Sequence, residues 1–387
     1  MNISVLLNLL TSFFLTYLTI PVIVKISNAK HLFDVPDHRK LNKVVVPTLG
    51  GVAIFLGMTL STLLFLQGDS TFGFRYLFVA ILMMLFIGIK DDILIMSARK
   101  KLAVQIAAAL VLVLLGNFRI VHVYGFASLT QLNDWLSIPL SVLFILFVIN
   151  AINLIDGIDG LAAGIALFIS SVLGTWFFLA GHFNAGIACF ALSGSLLAFL
   201  RFNLWGGDNK VFMGDTGSLI LGTFLATLTI KFMEVNYFTF NEFYITQAPL
   251  IALGLLIVPV TDTLRVFTIR IKNKRSPFSP DMNHIHHLLI RMGLTHIQAS
   301  GFLVTYTVAF TLSALTLQQY LNITIGFVLM LSASFTAVAL IYKRSLQISA
   351  IKESEQTSTD PKTIQMHNWN KAPEEVVAYR KGKTFYR

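Results

Sequence analysis

The sequence predicts an all-α protein whose helices cross a membrane about eleven times. Of its 387 residues, 55% are hydrophobic and only 12% are charged, whereas a soluble domain carries about 25% charged residues. The mean hydropathy is +0.74, and the apolar residues fall in runs of about 18 or more, the length that a membrane helix needs. The single cysteine, Cys189, excludes a disulfide-stabilised scaffold and a cysteine-based zinc module.

Eleven apolar runs are the predicted spans. In chain order they cover about 3–24, 48–67, 74–90, 101–118, 135–152, 160–180, 183–200, 216–233, 248–268, 297–318 and 321–342. No basic segment precedes the first run, which therefore predicts a true span and not a cleaved signal peptide. Together the runs predict one integral membrane domain, residues 1–344. The polar composition of residues 345–387 predicts a loosely ordered cytoplasmic tail.

The distribution of basic residues predicts the orientation. With the N-terminus outside and the C-terminus in the cytoplasm, 26 of the 29 Lys and Arg residues lie on the cytoplasmic side, and only Arg75, Arg119 and Lys231 lie outside. Cytoplasmic loops of membrane proteins carry such an excess of Lys and Arg. The net charge of +10 is thus explained by topology, and a nucleic-acid partner is not expected.

Polar side chains at membrane depth are costly and usually functional, and here they collect on the predicted cytoplasmic side. Asp91 and Asp92 close the third run. Two adjacent carboxylates repel each other unless a cation lies near them. The pair therefore indicates a metal site or an acid–base pair, with a solvated helix end as the alternative.

The segment from Asn150 to Gly164 carries a denser pattern, with Asn150, Asn153, Asp156 and Asp159 at every third position. Carboxylate and amide oxygens suit Mg²⁺ and can also bind the hydroxyl groups of a sugar. Helix capping is the alternative, but a cap needs only one such residue.

Asp215 lies between two glycines at the start of the eighth run. A helix N-terminus favours an anion such as phosphate, so an aspartate there indicates a cation that the phosphates also contact. A plain N-cap is the alternative.

Three histidines, His284, His286 and His287, follow the ninth run. No cysteine or H-E-x-x-H pattern accompanies them, which argues against zinc. Contact with phosphate fits better, because imidazole and guanidinium groups donate hydrogen bonds to phosphate oxygens. The neighbouring basic residues are Arg265, Arg270, Lys272, Lys274 and Arg275. A cytoplasmic loop that is merely positive is the alternative.

These motifs together resemble the polyprenyl-phosphate N-acetylhexosaminyl-1-phosphate transferases of glycosyltransferase family 4. The matching segments are PTLGG (47–51), Asp91-Asp92, NAINLIDGIDG (150–160), FMGDTGS (212–218) and HIHH (284–287). The last motif is similar to the undecaprenyl-phosphate N-acetylglucosamine-1-phosphate transferase branch, whereas the phospho-N-acetylmuramoyl-pentapeptide transferase branch typically has three consecutive histidines. The muramoyl-pentapeptide branch stays the alternative.

The resemblance implies a reaction that starts a cell-envelope glycan at the inner membrane. A UDP-N-acetylhexosamine and a polyprenyl phosphate give a polyprenyl-pyrophosphoryl-sugar and UMP, with Mg²⁺, or Mn²⁺, as the cofactor. The implied partners are these two substrates and the lipid bilayer, and a homodimer is compatible with the resemblance. The most similar branch implies UDP-N-acetylglucosamine as the donor.

The resemblance also implies a role for each candidate residue. Asp215, with Asn153 as a second ligand, would bind the metal, and Asp91 and Asp92 would position or deprotonate the polyprenyl phosphate. The predicted nucleotide-sugar contacts are Asn150, Asp156, Asp159 and Phe212, the last by stacking on uracil. The predicted phosphate contacts are Arg265, His284, His286, His287 and Lys101.

A membrane transporter is the competing class of function. Transporters place polar sites near the membrane midplane, in broken helices of repeated halves. In this sequence the polar residues lie at one membrane face and no repeated halves are evident. A structural scaffold would not explain four Asn and Asp residues at a spacing of three.

Overall fold

The computed structural model describes residues 3–30, 32–34, 46–67, 72–94, 96–274, 276 and 283–359. The described chain is almost entirely α-helical, with one two-stranded antiparallel pair, Phe33–Asp34 with Val46–Pro47. The helices are α1 Ile3–Lys30, α2 Gly50–Phe65, α3 Phe72–Ile93, α4 Ala98–Leu110, α5 Asp134–Ile155, α6 Leu161–Leu179, α7 Phe183–Trp205, α8 Gly214–Tyr237, α9 Ala248–Leu255, α10 Ile257–Lys272, α11 Ile285–Arg291, α12 His296–Leu317 and α13 Ile323–Thr359. Arg275 and residues 280–282 of the predicted basic loop lie outside the described residues.

Eight of the described helices are long and apolar enough to cross a membrane: α1, α3, α5, α6, α7, α8, α12 and α13. A ninth span is formed if α9 and α10, which meet at an angle of 71°, are one broken span. The protein is therefore a multi-pass, nearly all-α membrane protein, as the sequence predicts.

The two other predicted runs also fall on helices, but on shorter ones. Helix α2 has 16 residues. Helix α4 has 13 residues and continues as a π-helix, Val111–Leu115. The last helix, α13, extends to Thr359, beyond residue 345 at which the sequence predicts a polar tail. Residues 360–387 of that tail lie outside the described residues.

Helices α7 and α8 are the most buried of the long helices. Glycines bring α2 and α3 into direct contact with the first turn of α8. A Cβ atom on Gly51 would overlap the backbone of Gly217, and one on Gly88 would overlap the backbone of Thr216. Small residues allow such close approach of helix backbones in membranes. The end of α3 and the start of α8 are thereby held together at one end of the bundle.

Candidate active site

Two carboxylates and a lysine form the centre of the candidate site. The ammonium group of Lys101 lies 3.0 Å from Oδ2 of Asp91 and 3.0 Å from Oδ1 of Asp215. Asn153 donates from Nδ2 to the same oxygen of Asp215, at 2.5 Å, and to Oγ of Ser218, at 2.8 Å. Residues from α3, α4, α5 and α8 therefore converge on one point, and three of them, Asp91, Asn153 and Asp215, are among the candidates named from the sequence.

Asp92 lies beside this centre and caps α8. Its carboxylate accepts hydrogen bonds from the backbone nitrogens of Asp215 (2.7 Å) and Thr216 (3.1 Å), and from Oγ1 of Thr216 (2.6 Å). Carboxylates at a helix N-terminus satisfy its free N–H groups and interact favourably with the helix dipole. The adjacent aspartates thus have different surroundings: Asp91 contacts the lysine, and Asp92 orients the helix that carries Asp215.

The PTLGG and FMGDTGS segments are paired through their backbones. The nitrogen of Phe212 donates to the carbonyl of Pro47 (2.8 Å), and that of Gly50 donates to the carbonyl of Phe212 (3.0 Å). Gly214 has a φ of +71°, and a Cβ there would lie 2.7 Å from a carboxylate oxygen of Asp92. Only glycine fits this position without strain, so the turn into α8 depends on it.

A cavity of about 320 Å³ adjoins the carboxylate–lysine centre. Its polar lining includes Lys101, Gln105, Asn150, Asn153 and Arg270, and its apolar lining includes Leu102, Leu154 and Phe267. Asn150 donates to Oε1 of Gln105 at 2.9 Å, which ties α5 to α4. The cavity therefore combines positive charge and amide groups with an apolar wall.

Asp156 and Asp159 lie in the turn between α5 and α6 but have different environments. Among the described residues, no hydrogen bond or ion pair is made by the carboxylate of Asp156. Burial, followed by the negative charges of Asp215 and Asp92, raises the pKa of Asp156 to about 8. This raised pKa favours the protonated form of the Asp156 carboxyl group, which lies next to the carboxylate–lysine centre.

Asp159 is instead ion-paired. Its Oδ2 lies 2.7 Å from Nζ of Lys210 and 3.3 Å from Nδ1 of His296. Burial opposes ionisation of Asp159, but hydrogen bonds from His296 and Lys210 outweigh it and hold its pKa below the ordinary value. The ammonium of Lys210 also lies 5.7 Å from the centre of the Phe212 ring. Lys210 therefore lies between Asp159 and Phe212 and places these two side chains near each other.

The histidine loop is anchored to α10 by buried hydrogen bonds. Nδ1 of His284 lies 2.8 Å from Oδ2 of Asp262, and the nitrogen of Ile285 donates to Oδ1 of Asp262 at 3.0 Å. Arg265 contacts Asp262 at 3.2 Å and also donates to the carbonyl of Asn283. His284 and Asp262 are both buried. The structure thus gives His284 a positioning role in the loop, alongside the phosphate contact that the sequence predicts.

His286 packs against the turn that carries Asp156. A Cβ atom on Gly157 would overlap the imidazole of His286, so a glycine is needed here for the close approach. Burial, followed by the positive charge of His287, lowers the pKa of His286 to about 3, which leaves the ring neutral. Nδ1 of His286 and Nε of Arg265 have no hydrogen-bond partner among the described residues. Two buried nitrogen atoms are therefore available to a ligand.

The donors at the centre fit a hard cation. Asp91 and Asp215 supply carboxylate oxygens on either side of the Lys101 ammonium group. Asn153 adds an amide group beside them. Mg²⁺ takes one or two carboxylates and completes its shell with water and phosphate oxygens. Within the described part of the chain, no group of three or more His, Cys, Asp or Glu residues is arranged as a metal site. This holds for the histidine loop as well, so it gives no support to zinc there.

The structure adds residues that the sequence analysis did not assign to the site. Gln105 lines the cavity, Lys210 and His296 pair with Asp159, and Asp262 anchors the histidine loop. A signal existed for Gln105 and Asp262, because both are polar residues in apolar helices. For Lys210 and His296 the sequence contains no such signal, because their common partner, Asp159, lies far away in the chain.

Comparison with known proteins identifies the family. Residues 74–233 match the family described as glycosyl transferase family 4. A Bacillus subtilis protein, named for undecaprenyl-phosphate N-acetylglucosaminyl 1-phosphate transferase activity, is 32% identical over 84% of this chain and 90% of its own length. The undecaprenyl-phosphate alpha-N-acetylglucosaminyl 1-phosphate transferase of Haemophilus influenzae is 32% identical over 78% of this chain and 84% of its own length.

The similarity extends to a third relative. The protein of Escherichia coli K12 that carries the same name as the Haemophilus relative is 28% identical over 81% of this chain and 83% of its own length. The fold and the site define a multi-pass membrane protein with a carboxylate-rich centre at one end of its helix bundle. The chain belongs to glycosyl transferase family 4.

Proposed function

We propose that this protein transfers N-acetylglucosamine 1-phosphate from UDP-N-acetylglucosamine to a polyprenyl phosphate. An oxygen of the acceptor phosphate attacks the phosphorus that bears the sugar. The bond between that phosphorus and the oxygen bridging to the other phosphate breaks, and UMP leaves with the electron pair. The products are polyprenyl-pyrophosphoryl-N-acetylglucosamine and UMP. The names of the relatives support the two substrates.

The single observation that carries the proposal is the contact of Lys101 with both Asp91 and Asp215 at the mouth of the 320 Å³ cavity. The cavity suits the head of a lipid phosphate. Lys101 and Arg270 supply positive charge for the phosphate, and Leu102, Leu154 and Phe267 supply an apolar wall for the first part of the chain. Asp91 would accept the proton of the acceptor phosphate or fix its position.

The donor would bind where the histidine loop and the turn between α5 and α6 meet. Nδ1 of His286 and Nε of Arg265 would donate to the diphosphate, because both are buried without a partner among the described residues. Asp156 holds a proton at neutral pH and can donate it in a hydrogen bond to a sugar or phosphate oxygen. Phe212, next to Lys210, would stack on the uracil ring.

Asp215 and Asn153 would hold Mg²⁺, for which Mn²⁺ is the alternative. The metal would supply neutralisation of the negative charge that develops on the diphosphate. Asp92 would act indirectly, because its hydrogen bonds fix the first turn of α8 and hence the direction of Asp215. Asn150 would orient Gln105 at the cavity wall.

The topology completes the proposal. Eleven spans result when α2, the α4–π-helix segment and the broken pair α9–α10 each count as one. The N-terminus then lies outside and the site faces the cytoplasm at the inner membrane, in agreement with 26 of 29 Lys and Arg on that side. Residues 1–344 form the membrane transferase domain and the rest of the chain follows as a cytoplasmic tail.

Purified protein in detergent, supplied with undecaprenyl phosphate and radiolabelled UDP-N-acetylglucosamine, tests the proposal. The expected result is a lipid-linked product and UMP in equal amounts, with Mg²⁺ required. UDP-N-acetylgalactosamine and the UDP-muramoyl-pentapeptide serve as competing donors, and preferential use of the latter would contradict the proposed donor. A second arm uses the same protein reconstituted into sealed vesicles, where accumulation of intact UDP-sugar without lipid-linked product would indicate a transporter instead.

A further inference from the structure

A second cavity, of about 450 Å³, lies at the opposite end of the helix bundle. One of its walls includes Lys231 on α8, which is 16 residues beyond Asp215 and therefore about 24 Å away along the helix. The remaining lining comes from the ends of α2, α3 and the π-helix and from the turn between α6 and α7. In the proposed topology this is the outer end, so the cavity is separate from the transferase site.

Lys231 has no ion-pair partner among the described residues. The carboxylate nearest in sequence, Glu234, is occupied by another segment of the chain. It accepts hydrogen bonds from the backbone nitrogens of Val121 (2.8 Å) and His122 (3.1 Å), and its other oxygen lies 2.8 Å from Nδ1 of His122. Glu234 therefore acts on Lys231 only at longer range and forms no direct ion pair with it. A half-buried ammonium group thus lines the cavity without a contacting carboxylate among the described residues, and burial makes such a charge costly.

His182 adds a second basic group to the same cavity. It precedes the first residue of α7, and within the described part of the chain its ring forms no ion pair with a carboxylate. Burial, followed by the positive charge of Lys231, lowers its pKa, which places the two groups within electrostatic range of each other. A bound anion would reverse this effect, because it would stabilise the protonated imidazole.

The cavity is built by unusual backbone geometry. The π-helix Val111–Leu115 ends beside it, and Asn117 follows with a φ of +55°. Across the cavity mouth, Asn184 and Gln67 are joined by two hydrogen bonds, at 3.0 and 2.8 Å. Single π-turns and left-handed non-glycine residues cost energy and are frequent at binding sites. The rest of the wall is aromatic and includes Phe74, Phe118 and Phe183.

We propose that this outer-end cavity binds a phosphate group, with Lys231 and His182 as its cationic contacts. Lipid headgroups surround the ends of membrane-spanning helices, and their phosphates are the most abundant anions there. Basic pockets between such helices bind anionic headgroups. The aromatic walls suit the glycerol and acyl parts of a phospholipid. Free phosphate presents the same oxygens, and the experiment separates these two sources.

The experiment measures lipid retention by native mass spectrometry of the full-length protein. Phosphatidylglycerol is the anionic probe and phosphatidylcholine the neutral one, and equilibrium binding of radiolabelled inorganic phosphate is the second arm. We expect Lys231→Gln to weaken binding about tenfold, the loss of one charge-assisted contact, and His182→Gln to weaken it less. Lys231→Arg should keep most of the affinity.

Arg119→Gln is the matched control, because Arg119 lies at the same end but pairs with Asp134 at 2.9 Å. The transferase rate of each variant should equal that of the wild type, which verifies the fold. Loss confined to phosphatidylglycerol identifies a lipid headgroup, and loss confined to inorganic phosphate identifies the free anion. Equal binding by Lys231→Gln and Arg119→Gln in both arms would overturn the proposal. If Lys231→Gln does not fold, His182→Gln is compared with Arg119→Gln instead, and equal binding by these two variants in both arms would overturn the proposal.

Discussion

The carboxylate of Asp92 accepts a 2.6 Å hydrogen bond from the hydroxyl of Thr216 and also two backbone N–H groups of the first turn of α8. Its neighbour Asp91 points to Lys101 instead. Two adjacent aspartates that look equivalent in sequence therefore do different things. One fixes a helix end, and the other lies among the groups that would react.

Asp92→Asn should lower stability as well as activity. An amide can accept only at its oxygen, so part of the α8 cap would lose its acceptor, at a cost of about 1–3 kcal/mol. Thermal unfolding in detergent measures this cost. Asp208→Asn is the control, because Asp208 is exposed in the turn before α8. Unchanged stability of Asp92→Asn would contradict the capping role.

Asp91→Asn should lower kcat by about 10²–10⁴-fold, the usual range for loss of an acid–base group, with little change in stability. Lys101 would keep Asp215 as its second counter-ion, so its ammonium group would not be left unpaired. Steady-state UMP release measures the rate. An unchanged rate of UMP release would mean that Asp91 is only a solvated residue at the end of α3.

Asp215→Asn should abolish turnover at ordinary Mg²⁺ concentrations. The substitution removes a negative oxygen ligand and so weakens metal binding, whereas the hydrogen bonds that the α8 backbone donates to Asp92 stay in place. Turnover is measured across a Mg²⁺ titration, with Asp208→Asn as the exposed control. Near-normal rates without added metal would exclude Asp215 from the metal site.

His284→Ala should destabilise the protein by about 1–3 kcal/mol, because it leaves the buried carboxylate of Asp262 with one donor fewer. Arg265 and the nitrogen of Ile285 remain as partners. His286→Ala should lower donor binding with a smaller loss of stability. Unfolding curves and KM for the UDP-sugar, measured together, separate the two roles. Equal effects of both substitutions would contradict the assignment.

Asp156 should make stability fall as the pH rises. The folded protein keeps this proton up to about pH 8, whereas the unfolded chain loses it near the ordinary pKa of 3.8. The folded state therefore binds more protons between these values, and its stability declines across that window. Unfolding measured from pH 5 to 8 in metal-free buffer should show a flatter slope for Asp156→Asn. A slope equal to that of the wild type would contradict the raised pKa.

The sequence by itself determined the membrane class, the helical fold and the set of polar motifs, because hydropathy and charge act locally along the chain. It placed ten of the predicted spans on single helices or on a helix with its π-helical continuation. It did not predict the 71° break between α9 and α10, since apolar composition continues through Leu256. It identified Asp91, Asn153 and Asp215 as polar groups at one end of the bundle, where the structure brings them together.

Only the tertiary structure decided how those groups divide their tasks. Asp91 and Asp92 differ through contacts with residues that follow them by up to 124 positions. Asp156 and Asp159 differ because Lys210 and His296 reach only the second of them. The cavity around Lys231 arises where four separate chain segments end. Such relationships depend on packing between distant helices, and no local pattern in the sequence encodes them.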